Sequence, residues 1–319
     1  MGVNVFPHKK FSYTKGTPEH SAFTEEQLEL LEKPFEKQKI GIIETTPYDF
    51  YINTSDFKIA NTMIESSRMG KPWVNSCNSM DLLVVPNEFQ KKAFIESGVI
   101  KPIKVVRHGT WTENYPYYER PVMDTFTFGT LGYLNERKGV FDVIRAFSSE
   151  FAPNEPVQLI LKSSNKDFGY YSRFSDPRIK TDISHLSPSE LNKVYQSMDC
   201  FVFPSRAEGV GQPPREAMST GLPVIVTNYS GLEEIADPAY AYPLNDLTIL
   251  PGKNPQIIEQ PGDWAFPDIQ ELMYNMRYVY EHQDEARQKG KLASTVIHAE
   301  HSWEKSAQEM IKVLEGINI

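Results

Sequence analysis

The sequence predicts an α/β protein of two Rossmann-like domains, the first one incomplete, closed by a helical C-terminal segment. Three observations carry that reading. Short β-branched or aromatic runs alternate with amphipathic stretches along most of the chain, which is the pattern of parallel sheets with crossover helices. A length of 319 residues leaves room for two such domains, each with its own core. Beyond Phe266 the strand signals stop, proline and glycine thin out, and helical periodicity continues to the end.

Taken in order, strands are expected at residues 40–45 (IGIIET), 81–86 (DLLVVP), 103–109 (IKVVRHG) and 126–134 (FTFGTLGYL). The series continues at 157–164 (VQLILKSS), 200–205 (CFVFPS) and 223–228 (PVIVTN). Helical patterns lie between them, for example at 139–147 and 189–198. In the second of these, Ser187 or Ser189 can cap and Glu190 falls in the first turn. Three closing helices are expected at 269–282, 284–298 and 303–314. Strand signals pause over residues 107–125 in a polar stretch with tyrosine and proline, which suggests a boundary. The expected division is residues 1–106, 107–300 and 301–319, the last being a helix that packs back toward the first domain. The opening MGVNVFPHKK reads as a short apolar strand without the strand, glycine-rich turn and helix that begin a Rossmann unit. The first domain is therefore expected to be abbreviated.

Composition narrows the function classes. The chain is 40% hydrophobic and 24% charged, with interspersed charges and no apolar run long enough to span a bilayer. Nothing resembles a secretory signal with a basic start and apolar middle. Cys77 and Cys200 are the only cysteines, and Cys200 sits in the apolar run DCFVFPS. That usage fits reduced, buried thiols in a cytoplasmic protein. The net charge of −9 argues against a surface that coats nucleic acid.

The most informative segment is FPSRAEGVGQPPREAMSTGLPVIVT. A buried strand ends at Phe203-Pro204, a glycine-containing loop follows, and Pro213-Pro214 is expected to start a helix. Gly209 and Gly211 let the backbone approach a ligand, and a helix N-terminus offers N–H groups to an anion. Glu208 on the loop and Glu216 in the helix's first turn can point into one cleft. A carboxylate accepts two hydroxyl hydrogen bonds, which suits vicinal sugar or ribose hydroxyls. No His, Asp or Glu cluster has convincing metal-ligand spacing, and none is expected to hold a metal.

Glu208 and Glu216, in the setting EGVGQPPREAMSTGLPVI, resemble the E-x7-E motif of retaining glycosyltransferases, family 4 in particular. LLVVPNEFQKKAFIESGV with PIKVVRHGT is similar to that family's interdomain region, and GTLGYLNERKGVFDVIRAF to its phosphate-binding strand, loop and helix. LSPSELNKVYQSMDCFVFPS and HSWEKSAQEMIKVL continue the resemblance in the same order. It implies two facing domains of GT-B type and transfer of a sugar from a nucleotide-diphosphate donor, most simply a UDP- or GDP-sugar, with no further cofactor. The acceptor would be a hydroxyl of a glycan, lipid or small molecule. Glu208 would bind hydroxyls of the transferred sugar and Glu216 the nucleotide ribose. Backbone N–H groups at Val210 and Gly211, beside Gly209, would lie against the sugar and diphosphate. Lys138 would neutralise the leaving diphosphate. Tyr133 stands where family members commonly carry an arginine, and Arg137 is the substitute cation expected. Lys162, Ser163, Ser164 and His185 would lie near the base, and Glu65 on the acceptor side. The resemblance further implies retention of anomeric configuration by front-face attack assisted by the donor's own phosphate.

Two other functions are weighed. An abbreviated first domain and Tyr133 would also suit a non-catalytic or truncated relative that binds a nucleotide sugar or a partner. Glycosylation of a modified DNA base would require a basic acceptor channel, and the basic residues Lys9, Lys10, Lys91, Lys92 and Lys101 are interleaved with acids. His108, at the expected domain junction, reads first as structural, as do Trp73, Trp264 and Trp303.

Overall fold

Runs of consecutive apolar residues become strands buried on both faces, and they order the chain into two parallel sheets. The computed structural model describes residues 39–164, 176–252 and 261–317. The first sheet holds β1 (Ile40–Glu44), β2 (Phe57–Asn61), β3 (Leu82–Val85) and β4 (Ile103–Val105), paired parallel in chain order. Its crossovers include α1 (Lys71–Asn78) and α2 (Glu88–Ser97). Helix α2 starts where the Asn87 side chain accepts the Gln90 N–H and stops at Gly98, whose φ of 105° suits a residue without Cβ.

The second sheet contains β5 (Phe126–Gly132), β6 (Val157–Ser163), β7 (Ile179–Asp182), β8 (Cys200–Phe203), β9 (Val224–Thr227) and β10 (Tyr242–Leu244). All pairs are parallel, in the order β10-β9-β8-β5-β6-β7. This is the doubly wound arrangement, with chain order reversing between β5 and β8. Its helices are α3 (Val140–Glu150), α4 (Pro188–Gln196) and α5 (Gln212–Ser219). Ser187 and Glu190 close a reciprocal capping box on α4. An antiparallel pair, β11 (Leu247–Pro251) and β12 (Asp263–Pro267), precedes α6 (Ile269–Glu281), α7 (Gln283–Glu300) and α8 (Trp303–Glu315).

The seven expected strands that can be compared all form, each of them shorter than read; β4 stops at Val105 rather than continuing to Gly109. Strands β2, β7, β10, β11 and β12 are additional. The opening run MGVNVFPHKK lies outside the described residues.

One apolar cluster, including Phe128, Phe147 and Phe151, packs between the second sheet and α3 and α6. Helix α8 crosses to the first sheet, where Met310, Val313 and Leu314 cover Ile59, Leu82, Val84 and Val106. On the way its entry segment lies along the connection after β4. The Thr110 N–H donates to the His301 carbonyl at 2.7 Å, and Thr110 bridges Ser302 in parallel.

Candidate functional site

The reversal of strand order puts two loops side by side at the carboxyl ends of β5 and β8, the crevice where doubly wound sheets bind ligands. The loop after β5 carries Tyr133, Arg137 and Lys138; the loop after β8 carries Ser205 to Gly211. They touch at Gly139, whose φ is 67° and where a Cβ would run into the Pro204 carbonyl. Only glycine fits there.

Glu208 is 3% exposed and sits at the centre of a charge network. Its Oε1 accepts from Lys138 Nζ at 2.6 Å, from Arg137 Nη1 at 2.9 Å and from the Ser205 hydroxyl. Among the described residues no donor reaches Oε2, so that oxygen is open to a hydroxyl. Arg137 also donates to the Ala207 carbonyl, and its Nη2 reaches Glu65 Oε1 at 2.8 Å across from the first sheet. Two cations and two carboxylates thus balance in one cluster. Burial alone would raise the Glu208 carboxyl, but Arg137 and Lys138 hold it down at about 2. At Glu65 burial prevails over the attraction of Arg137, and its carboxyl is raised above its ordinary range. The backbone of Glu208 is fixed as well. Its N–H donates to the Ser230 hydroxyl at 2.9 Å, and its carbonyl accepts the Gly231 N–H at 3.0 Å. Ser230 holds a φ of 59°, unusual for a residue with a side chain, at the point where it reaches Glu208.

Glu216 belongs to a separate network. It stands in the second turn of α5 and not the first, because the helix begins at Gln212, one residue before Pro213. The Tyr195 hydroxyl donates to its Oε2 at 2.7 Å. Burial raises its carboxyl, opposed by hydrogen bonds from Tyr195 and Tyr115. The proline pair also limits anion binding. Of the four N–H groups a helix leaves unpaired at its start, Pro213 and Pro214 supply none, which leaves those of Gly211 and Gln212. Gly211, with φ 79°, shapes this turn. At Gly209 a Cβ would come 2.5 Å from the Met63 sulfur, so the first sheet closes directly on the loop. The Asn87 amide ties the same point by donating to the Gly209 carbonyl at 2.8 Å.

The structure therefore brings Glu208, Lys138, Arg137 and Glu65 into one network, with Gly209, Val210 and Gly211 on the adjoining loop. Glu216, Tyr133, Ser163 and His185 stand outside it. Tyr133 is 46% exposed at the end of β5, and His185 is exposed. The buried Ser163 hydroxyl accepts the Leu134 N–H at 3.3 Å, and Lys162 turns away to the Ser184 carbonyl and Asp182. Sequence reasoning missed Ser205, Ser230, Asn87, Tyr115 and Tyr195. Of these only Asn87 left a local signal, as a cap before EFQ. Among the described residues no three His, Cys, Asp or Glu side chains come together as a metal site.

Residues 125–259 match the family model for glycosyl transferases group 1, and these residues hold both loops and the whole Glu208 network except Glu65. This part of the chain is similar to the group 1 glycosyltransferases. The chain is 25% identical over 189 residues to the capsular polysaccharide biosynthesis glycosyltransferase CapM of Staphylococcus aureus, covering 56% of this chain and 46% of that protein. It is equally 25% identical over 200 residues to D-inositol 3-phosphate glycosyltransferase of Corynebacterium urealyticum, covering 59% of this chain and 42% of that one. The matches thus span less than half of each of these relatives. In fold, the chain resembles sucrose-phosphate synthase of Thermosynechococcus elongatus, with a TM-score of 0.68 at 15% identity over 87% of this chain and 73% of that one. It also resembles Anabaena HepE, solved in complex with UDP-glucose, with a TM-score of 0.67 at 17% identity over 86% of this chain and 79% of that one. The second sheet with its helices and the sheet facing it form a GT-B arrangement.

Proposed function

We propose that this protein is a retaining, metal-independent glycosyltransferase that moves a sugar from a nucleotide-diphosphate donor to a hydroxyl acceptor. The observation that carries the reading is the convergence of Arg137 and Lys138 on Glu208 at the switch point of the second sheet. Breaking the sugar–phosphate bond builds positive charge on the sugar and negative charge on the leaving diphosphate. Fixed cations aimed at that diphosphate stabilise the transition state more than the ground state. Lys138 and Arg137 supply two such cations, and Arg137 takes the role left open by Tyr133. Both have carboxylate partners that stand where phosphate oxygens would otherwise be recruited, so the cations are already oriented. Glu208, held ionised, accepts hydroxyls of the transferred sugar, and the N–H groups of Val210 and Gly211 face the diphosphate. Glu216 binds the ribose. Tyr133, Ser163 and His185 border the nucleotide end.

In this reading residues 107–300 bind the donor, residues 1–106 face the acceptor, and the segment from 301 joins them. A UDP- or GDP-sugar is the donor, with no further cofactor, and the reaction takes place in the cytoplasm. Among the described residues no helix is long and apolar enough to cross a membrane.

The test is a panel of UDP-, GDP- and ADP-sugars, reading melting temperature and slow donor hydrolysis with and without chelator. A ligand present at a hundred times its dissociation constant adds about 2.7 kcal/mol. The reading requires one donor to raise the midpoint and to be hydrolysed, with Glu208→Ala abolishing turnover, chelator without effect, and the released sugar first appearing as the donor's own anomer. Absence of binding by every donor would refute it.

A further inference from the structure

A second cavity, of about 210 Å³, opens at the carboxyl ends of the first sheet, under the start of α8. Open parallel sheets bind ligands at this end, and two of the polar groups there are unspent. The carboxylate of Glu44, last residue of β1, and the amide of Asn61, last residue of β2, have no hydrogen-bond partner among the described residues. Asn53, at the opposite end of these strands, uses its amide fully, donating to the carbonyls of Gly41 and Ile59. Met63 and the indole of Trp303 supply apolar and aromatic wall, and Arg107, His108 and Ser306 also border the cavity. The Trp303 Nε1–H is shielded from water and has no partner.

Charge decides what this cavity accepts. Arg107 is committed to Glu309 at 3.3 Å and to Glu234 at 3.8 Å. His108 Nδ1 lies 2.7 Å from Gln212 Nε2, and burial lowers its pKa, so the ring is neutral near pH 7. Among the described residues Glu44 is then the charge facing the cavity without an ion-pair partner, and a phosphate or carboxylate placed there would meet a like charge. An aromatic face, a thioether, a carboxylate and an amide suit the alternating apolar and hydroxyl faces of an uncharged sugar ring. Met63 connects this space to the donor side, since its sulfur also lies against Gly209, next to Glu208.

We propose that this cavity binds a neutral, unphosphorylated pyranoside through Glu44, Asn61 and Trp303. Combined with the transferase reading, on which this step rests, it makes the acceptor the terminal sugar of a neutral glycan or glycoside, rather than a sugar phosphate or a phospholipid headgroup.

The experiment titrates the full chain with methyl α-glucopyranoside and glucose 6-phosphate, followed by calorimetry and by ligand-observed NMR. UDP binding is read on the same samples by melting temperature. Glu44→Ala and Asn61→Ala are suited to the test because neither side chain is used by the fold. The methyl glycoside should bind, glucose 6-phosphate should bind at least about tenfold more weakly, and each substitution should weaken the glycoside by about tenfold, the loss of one good hydrogen bond. UDP should bind both variants as it binds the parent. The proposal is overturned if glucose 6-phosphate binds as tightly as the glycoside, if neither substitution matters, or if no glycoside binds at any soluble concentration. Loss of UDP binding alone, with the glycoside still bound, would instead remove the transferase reading and leave this site standing.

Discussion

Replacing Glu208 by glutamine keeps the shape of the side chain and removes the charge around which the cluster is built. In the folded protein its carboxyl is held at about 2, against an ordinary value of 4.5. At 1.36 kcal/mol per pKa unit, that gap corresponds to about 3 kcal/mol of stability at neutral pH. Because the folded value is depressed, this contribution is fully present above pH 4.5 and is lost as pH falls toward 2. In Glu208→Gln, Arg137 and Lys138 would share Glu65 alone, in a buried setting where an unpaired cation is costly. The amide oxygen can still accept from Lys138 or Ser205, which moderates the loss. A deficit of about 3 kcal/mol in a domain of this size lowers the melting midpoint by about 6–12 °C. Scanning calorimetry at pH 7 measures that shift, and urea midpoints from pH 7 down to pH 3 measure the acid dependence. Saturating UDP should narrow the difference, because its diphosphate returns negative charge to the two cations. A variant that melts within about 1 °C of the parent, with a superimposable acid profile, would refute the argument that this network holds the loop.

Three other outcomes are expected. Arg137→Ala should weaken UDP binding by about tenfold or more, and adding Tyr133→Arg should recover part of it; isothermal titration reads both, and a doubly substituted chain no better than the single one would argue against the exchange of positions. His301 accepts from Arg215 at 2.6 Å only while neutral, and burial with Arg215 nearby lowers its pKa from 6.5 to about 3. Stability tied to His301 is thus complete above pH 6.5 and lost as pH falls toward 3, by up to about 1.4 kcal/mol per pH unit, and His301→Gln should flatten urea midpoints between pH 6.5 and 4.5. Gly139→Ala combines a positive φ with a collision against the Pro204 carbonyl, so a loss above about 1 kcal/mol is expected from urea unfolding at pH 7.

What could be read from the residues alone follows from where the physics is local. LLVV and CFVF are apolar at every position, VIVT departs only at Thr227, and all three are buried on both faces, so composition marks them as inner strands. FKIAN and IKTD are half-exposed and interrupted by lysine, and nothing in such short segments distinguishes a strand from a loop until a neighbour pairs with them. At the site, Glu208 and the glycines stand out in the sequence on a loop between a strand and a helix, whereas Lys138 is singled out only by the resemblance to family 4 glycosyltransferases. The meeting of Arg137 with Glu65, and of Ser230 with Glu208, joins residues far apart in the chain. Neither leaves a local trace. The start of α5 was misplaced by one residue because proline is tolerated throughout a first turn, not at its first position alone.

The pairing of Thr110 with His301 and Ser302 bears on how the molecule can move. The polypeptide passes between its halves twice, and the two passages lie against one another; a Cβ at Gly109 would sit 2.5 Å from the Trp303 backbone. Two strands bound together at a crossing act like the pin of a door. The halves cannot slide past each other or draw straight apart at this point without breaking that pairing, whereas a rotation about it keeps the pairing, with Glu65 and Arg137 at the free edge. A bulky residue at position 109 would therefore alter the swing from far behind the cleft, changing how readily donors enter and leave while every side chain around Glu208 stays as it is.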